Sequence, residues 1–269
     1  MTTLKTTIAI TLLLTASALV ANGQSGPSAD EYLRLAEEHQ RNSKQDDAIT
    51  NYEKAAVEFQ KAGNVERFVH SYNQIGVILT RQDKYENAKR YLDVALSKGL
   101  SALGGGDLTV ATTYLNLGVV YAAENQFDKS LEVHDKALKI RVAKLGKDHR
   151  DVATSYGNIG NVQFRKKDYD KAIEAHRLAM EIRAKVFGEK SPEIAESYRN
   201  LGNAYKEKKD FKRTLEFYEK ALSNKIHQLG DKHKDLVRHL RSVSEAHSLA
   251  GNSAKADEFR LRADQIEKQ

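Results

Sequence analysis

The sequence predicts an all-α protein, a right-handed solenoid of about six antiparallel helix hairpins. Three observations predict it. First, 269 residues contain only two prolines, Pro27 and Pro192, and 30% are charged, a composition rich in helix formers. Second, Gly76, Gly118, Gly160 and Gly202 stand 42 residues apart. Third, the same columns surround each of them. Tyr72, Tyr114, Tyr156 and Tyr198 precede the glycines by four residues. Tyr85, Phe127, Tyr169 and Phe211 follow by nine, and Ala95, Ala137, Ala179 and Ala221 by nineteen.

From the N-terminus, Lys5 is the only charge before Asp30, Ile8 to Val20 is a short apolar run, and the small residues Ala21-Asn22-Gly23 follow. A basic start, a short apolar stretch and a small-residue exit are the pattern of a secretory signal peptide. The run is too short for a comfortable span of about 20 residues. The reading is a signal peptide over 1–23 cleaved after Gly23 or close to it, a short linker over 24–28, and a periplasmic or secreted protein. Residues 29–269 form the repeat domain, with hairpins at about 29–62, 66–104, 108–146, 150–188, 192–230 and 234–268. Without residues 1–23, 42 basic residues face 37 acidic ones, a net +5 that tolerates anionic partners and implies no more. The chain has no cysteine, so disulfides, zinc-thiolate sites and cysteine nucleophiles are excluded.

Each hairpin explains itself locally. A first helix such as Asp151 to Arg165 carries the Tyr and Gly columns. A polar turn, Lys166-Lys167-Asp168, leads to a second helix from Tyr169 to about Phe187. There Ala172, His176, Ala179, Met180 and Ile182 recur at helical spacing. Gly188 stops it, one of a second glycine series with Gly104, Gly146 and Gly230. Ser191-Pro192 then sets an N-cap hydroxyl before a proline at the first helical position. The apolar column Phe68, Val110, Val152, Ile194 and Leu236 opens each hairpin. The glycine lets two helix backbones approach, and stacking is required because one hairpin cannot bury its apolar face. The flanking hairpins lack the glycine, as terminal caps should. Gln163, Ser130, Thr214, His134 and His176 depart from their columns and are expected to loosen packing locally.

Tyr156, Ile159, Gly160, Tyr169, Ala172 and Ala179 resemble the consensus of the tetratricopeptide repeat. The 42-residue period and the joining segment 145–153 are similar to the repeats of kinesin light chains. The resemblance covers residues 29–269 and implies a protein-interaction fold. No long heptad region accompanies it, so kinesin assembly is not implied.

No enzyme motif is present: no G-x-S-x-G, H-E-x-x-H, phosphate-binding loop or dinucleotide fingerprint. Gly104-Gly105-Gly106 reads as a helix stop. His134 and His176 share a column but are too few for zinc, and read as packing residues. His227, His233 and His239 read as exposed. No catalytic residue, metal or cofactor is expected, and nucleic acid is disfavoured by the modest charge.

The expected binding site is the inner face of the first helices. Asparagine offers a donor and an acceptor, so it pairs with a peptide backbone of any sequence. It recurs as Asn116, Asn158 and Asn200 before the Leu/Ile-Gly pair, and as Asn161 and Asn203 one turn on. The resemblance implies peptide contact for Asn116, Asn158 and Asn200, and a weaker match extends it to Asn73, Asn161 and Asn203. The competing reading is asparagines that bridge neighbouring helices. Charge on this face is uneven: Asp30, Glu37 and Glu38 lie in the first hairpin, and Arg199, Lys206, Arg238 and Arg241 in the last two. Arg199 and Arg241 therefore join the candidate peptide-binding set. The expected partner is a protein or peptide, with membrane contact peripheral at most. The alternative is a scaffold for an envelope or secretion assembly, using the convex face or the basic rim at Arg165-Lys166-Lys167 and Lys206 to Arg213.

Overall fold

The computed structural model describes residues 26–268. The signal-peptide reading and the first two residues of the linker lie outside them. The described residues are all-helical, with no strand among them. They form two compact units, one ending at Leu103 and the other beginning at Gly104.

The first unit contains α1 (Ala29–Arg41), α2 (Gln45–Lys61), α3 (Val65–Arg81) and α4 (Tyr85–Ala102), each packed on the next. The second contains α5 (Leu108–Ala123), α6 (Phe127–Leu145), α7 (Arg150–Arg165), α8 (Tyr169–Phe187), α9 (Pro192–Glu207) and α10 (Phe211–Leu229). A 3₁₀ turn (Lys234–Leu236) then leads into α11 (Val237–Leu249) and α12 (Ser253–Glu267). In this unit each helix again packs on the next, and α7 also touches α5 and α9.

The repeated columns are the core. Phe68, Val110, Val152, Ile194 and Leu236 are all buried, as are Ala55, Ala95, Ala137, Ala179, Ala221 and Ala263. The polar replacements do not loosen it. Ser130 donates to the Gly118 carbonyl at 2.7 Å and Thr214 to the Asp210 carbonyl at 2.9 Å, so each buried hydroxyl has a partner.

The starts of the first helices are capped by varied chemistry. Asn64 accepts from Arg67 N–H, Asp107 from Thr109 N–H, and the imidazoles of His149 and His233 accept from Asp151 and Asp235 N–H. Ser191 departs from expectation. Pro192 occupies the first helical turn, but the Ser191 hydroxyl makes no capping bond, because the Ile194 N–H goes to the Ser191 carbonyl instead.

The two kinds of turn differ. Within hairpins, Asp83, Asn125, Lys167 and Lys209 take the left-handed conformation at φ 58–65°. The residue after each closes a Schellman bond, such as Asp168 N–H to the Gln163 carbonyl at 2.9 Å. Between hairpins, Gly146, Gly188 and Gly230 combine φ of 81–84° with ψ of 156–167°, a region essentially closed to residues with a Cβ. Lys167→Gly is therefore expected to change stability by no more than about 1 kcal/mol. Gly188→Ala is expected to cost about 1–3 kcal/mol, although open space surrounds it. Urea unfolding of the two variants beside the parent checks the asymmetry.

Candidate functional site

The glycine column fixes which face of each first helix remains open. A Cβ on Gly76 would lie 2.6 Å from Leu92, one on Gly118 2.4 Å from His134, one on Gly160 2.6 Å from His176, and one on Gly202 2.4 Å from Tyr218. Each second helix thus seats one large side chain directly on the first-helix backbone. The asparagines lie on the same first helices.

His134 and His176 are 1% and 2% exposed. Burial pushes both imidazoles down to about 4, helped by Arg141 at His134 and by Arg183 and Arg199 at His176. His239, read as an exposed residue, is buried as well, and burial lowers its pKa too. The reason is its position in the opening turns of α11, in the column of the buried Ser155 and Ser197.

Arg141 and Arg183 are charged neighbours of the two imidazoles that the sequence did not single out. Arg141 donates from Nη1 to the Asp151 carbonyl and the Ser155 hydroxyl, both at 3.0 Å, and joins α6 to α7. Arg183 donates to the Ser197 hydroxyl at 2.5 Å and joins α8 to α9. Its guanidinium lies 3.4 Å from where a Gly157 Cβ would be. Two arginines 42 residues apart on a buried helix face were the available signal.

The predicted site residues differ in their surroundings. Asn116, Asn158 and Asn200 are half-buried on α5, α7 and α9, neighbouring first helices of one unit. Their side chains form no hydrogen bond with described residues, so they bridge no helices. Asn161 is exposed and also unbonded, whereas the Asn203 Oδ1 accepts the Tyr218 hydroxyl at 2.6 Å. Asn73 lies elsewhere. It is 2% exposed, with its Oδ1 buried and unpaired, because it falls one position before the asparagine column, where Gln74 stands. Arg199 pairs with Glu196 on its own helix, and Arg241 bonds Glu267 at 2.5 Å.

Two hollows of the second unit touch these residues. One, about 200 Å³, is lined by Asn161, Phe164, Arg165, His176, Asn200 and Asn203. The other is a broader basin of about 740 Å³ whose lining includes Lys225, Lys234, Arg238 and Arg241 together with Asp235 and Glu245. In the first unit, Gln74 lines a hollow of about 360 Å³ with Glu37, Gln40, Arg41, Tyr52 and His70.

The basic rim is partly neutralised. Lys166 pairs with Asp128 and Lys208 with Asp170, each reaching back to the start of the preceding second helix. Arg165 donates to Asn125 at 3.0 Å. Among the described residues no helix is long and apolar enough to cross a membrane.

The tetratricopeptide repeat profile matches residues 67–143, 109–185 and 151–227. No curated sequence matches the chain. Among solved structures, BtubC (BKLC) from P. vanneervenii superposes with a TM-score of 0.71 at 20% identity, over 91% of this chain and 92% of that one. A putative kinesin light chain from P. anserina with nearly identical TPR-like repeats gives 0.68 at 16% identity, over 76% and 96%. The apo form of RapI gives 0.65 at 14% identity, over 97% and 90%. At such identities these likenesses establish the fold.

The buried imidazoles predict a pH dependence. Their pKa is about 4 in the folded chain and about 6.5 when unfolded, so the unfolded chain takes up protons first as pH falls. Their contribution is fully present above pH 6.5 and is lost as pH falls from there towards 4. Between pH 7 and 5 the loss is on the order of 2 kcal/mol per imidazole. A His134→Leu/His176→Leu variant should lose distinctly less stability over that interval in chemical denaturation, since Leu92 fits the same position against Gly76.

Proposed function

Because the chain belongs to the tetratricopeptide repeat family, we propose that it is a non-catalytic interaction module whose second unit grips an extended peptide segment along α5, α7 and α9. One observation carries this reading. Asn116, Asn158 and Asn200 recur on touching helices, half-open, with both amide groups unused. Three half-open amides without partners leave hydrogen-bonding capacity for a ligand. A peptide backbone matches it, because its N–H and C=O groups alternate whatever the sequence. Tight side-chain complementarity is then needed only at a few positions.

The same reading places the protein outside the cytoplasm. Its support is the sequence pattern of Lys5, the apolar run from Ile8 to Val20 and the small residues before Gln24. Expression in a bacterial host with fractionation and intact-mass analysis checks it. The expected result is an exported chain beginning at or near Gln24, and a cytoplasmic chain retaining Met1 or Thr2 overturns it.

For the groove, the partner is captured from the envelope fraction, purified and titrated against the protein and its Asn158→Ala/Asn200→Ala variant. Loss of two hydrogen-bonding side chains should weaken binding about tenfold or more, with the thermal midpoint unchanged within about 2 °C. Equal affinity for both proteins rejects the asparagine ladder as the site.

A further inference from the structure

The 360 Å³ hollow of the first unit has a chemistry of its own, and its size falls within the range of ligand pockets, about 300–1,000 Å³. Glu37, Gln40 and Arg41 of α1, Tyr52 of α2, and His70 and Gln74 of α3 line it. All six are polar. Tyr52 is 1% exposed, and its hydroxyl donates to Gln40 Oε1 at 2.7 Å. Burial, reinforced by Glu37 and opposed by Arg41, pushes the phenol up to about 12, so it remains a donor at neutral pH. That bond uses the Gln40 oxygen and leaves its NH₂ as the free group. Burial lowers the pKa of His70, with Glu37 opposing and Arg67 assisting, so the ring is neutral near pH 7 and offers one nitrogen as an acceptor. Neither His70 nor Gln74 has a hydrogen-bond partner among the described residues.

The two charges in the lining are opposite and unspent. Glu37 and Arg41 stand one turn apart on α1, in the order that favours a mutual ion pair. Neither is ion-paired, with the other or with any further described residue. Their neighbours are paired: Arg34 with Glu38 at 3.2 Å, and Arg67 with Asp30. An ammonium alone would gain Glu37 and meet Arg41. A carboxylate alone would gain Arg41 and meet Glu37. A neutral ligand would use the amides and leave both charges idle. Side chains four apart on a helix have Cβ atoms about 5–6 Å apart, so a ligand that satisfies both must carry its cation and its anion close together. An α-amino acid does, because one carbon bears its ammonium and its carboxylate. Glu37 and the His70 acceptor nitrogen then take the ammonium protons. Arg41 and the Gln40 NH₂ donate to the carboxylate, as charge-assisted hydrogen bonds.

We propose that this hollow binds a free α-amino acid as its zwitterion, with Glu37 holding the ammonium and Arg41 the carboxylate. The site lies wholly within the first unit and is independent of the groove on the second.

The test follows the Gln40 and Gln74 side-chain amides by NMR while the protein is titrated with three probes: L-alanine, N-acetyl-L-alanine, which keeps only the carboxylate, and L-alanine methylamide, which keeps only the ammonium. L-Alanine should shift both amides saturably, and each single-charge probe should bind at least about tenfold more weakly, the scale of one lost charge-assisted hydrogen bond. Glu37→Gln and Arg41→Gln should each weaken L-alanine by a similar factor. Both side chains are open to solvent on a helix surface, so the thermal midpoint should stay close to that of the parent. Glu38→Gln is the control: it removes the neighbouring charge of α1, which is paired with Arg34 and lies outside the lining, and should leave the response intact. The absence of a saturable shift with L-alanine overturns the proposal. So does a single-charge probe that binds as well as L-alanine, or an equal effect of Glu37→Gln and Glu38→Gln.

Discussion

Each of the four central hairpins depends on a side chain that is missing. At Gly76, Gly118, Gly160 and Gly202 any Cβ would lie 2.4–2.6 Å from the side chain opposite, well inside van der Waals contact. The second helix can approach only because nothing stands there. That approach buries the alanine column behind it and turns the asparagine position to the open side. Overpacking a closed core costs typically 1–3 kcal/mol, a large fraction of the stability of an ordinary domain. The 42-residue period is therefore a packing constraint before it is a binding device. The first and last hairpins carry Ala36 and Ser244 at the glycine position.

Most of this fold was legible because it is written in repeats. The helix expected from Tyr169 to Phe187 has those bounds, since an aromatic opens it and a glycine in a forbidden region for other residues closes it. What the sequence concealed was the direction and partnering of side chains. His239 and Asn73 look polar and free in one dimension, yet both are buried, because a polar residue at a core register is carried inside whatever its chemistry. The Ser191 hydroxyl looked like a cap, but a nearby carbonyl reached the same N–H first. At the candidate site, the residue types on the open face were readable and the hollow was not. His176 comes from α8, while Asn161 and Asn200 come from α7 and α9, so no local pattern in the sequence joins them.

Charge follows the same rule. A net charge of +6 and lysines at successive turns suggested a basic rim. The period that repeats the lysines also repeats Asp128 and Asp170 at the starts of the second helices, and the two sets meet. Exposed pairs of this kind contribute about 0–1 kcal/mol each. Their larger effect is on the surface potential, because a lysine beside a carboxylate attracts a distant anion weakly. The arginines inside the stack differ. Arg141 and Arg183 are held by carbonyl and hydroxyl oxygens of the next helix.

The position opposite the glycine is where architecture can pass into recognition. It holds Leu92, His134, His176 and Tyr218 in successive hairpins, all seated on the same backbone spot. Leucine there only fills space. Tyrosine fills space and sends its hydroxyl to Asn203. Histidine fills space and keeps two ring nitrogens, one of which must find a partner or go unpaired. In α6 the Nδ1 of His134 goes unpaired and sealed, a cost with no visible return. In α8 the ring instead lines a hollow bordered by the Asn161 and Asn200 amides. A repeat whose packing tolerates several side chains at one fixed spot can thus differentiate a single hairpin for binding without disturbing its neighbours.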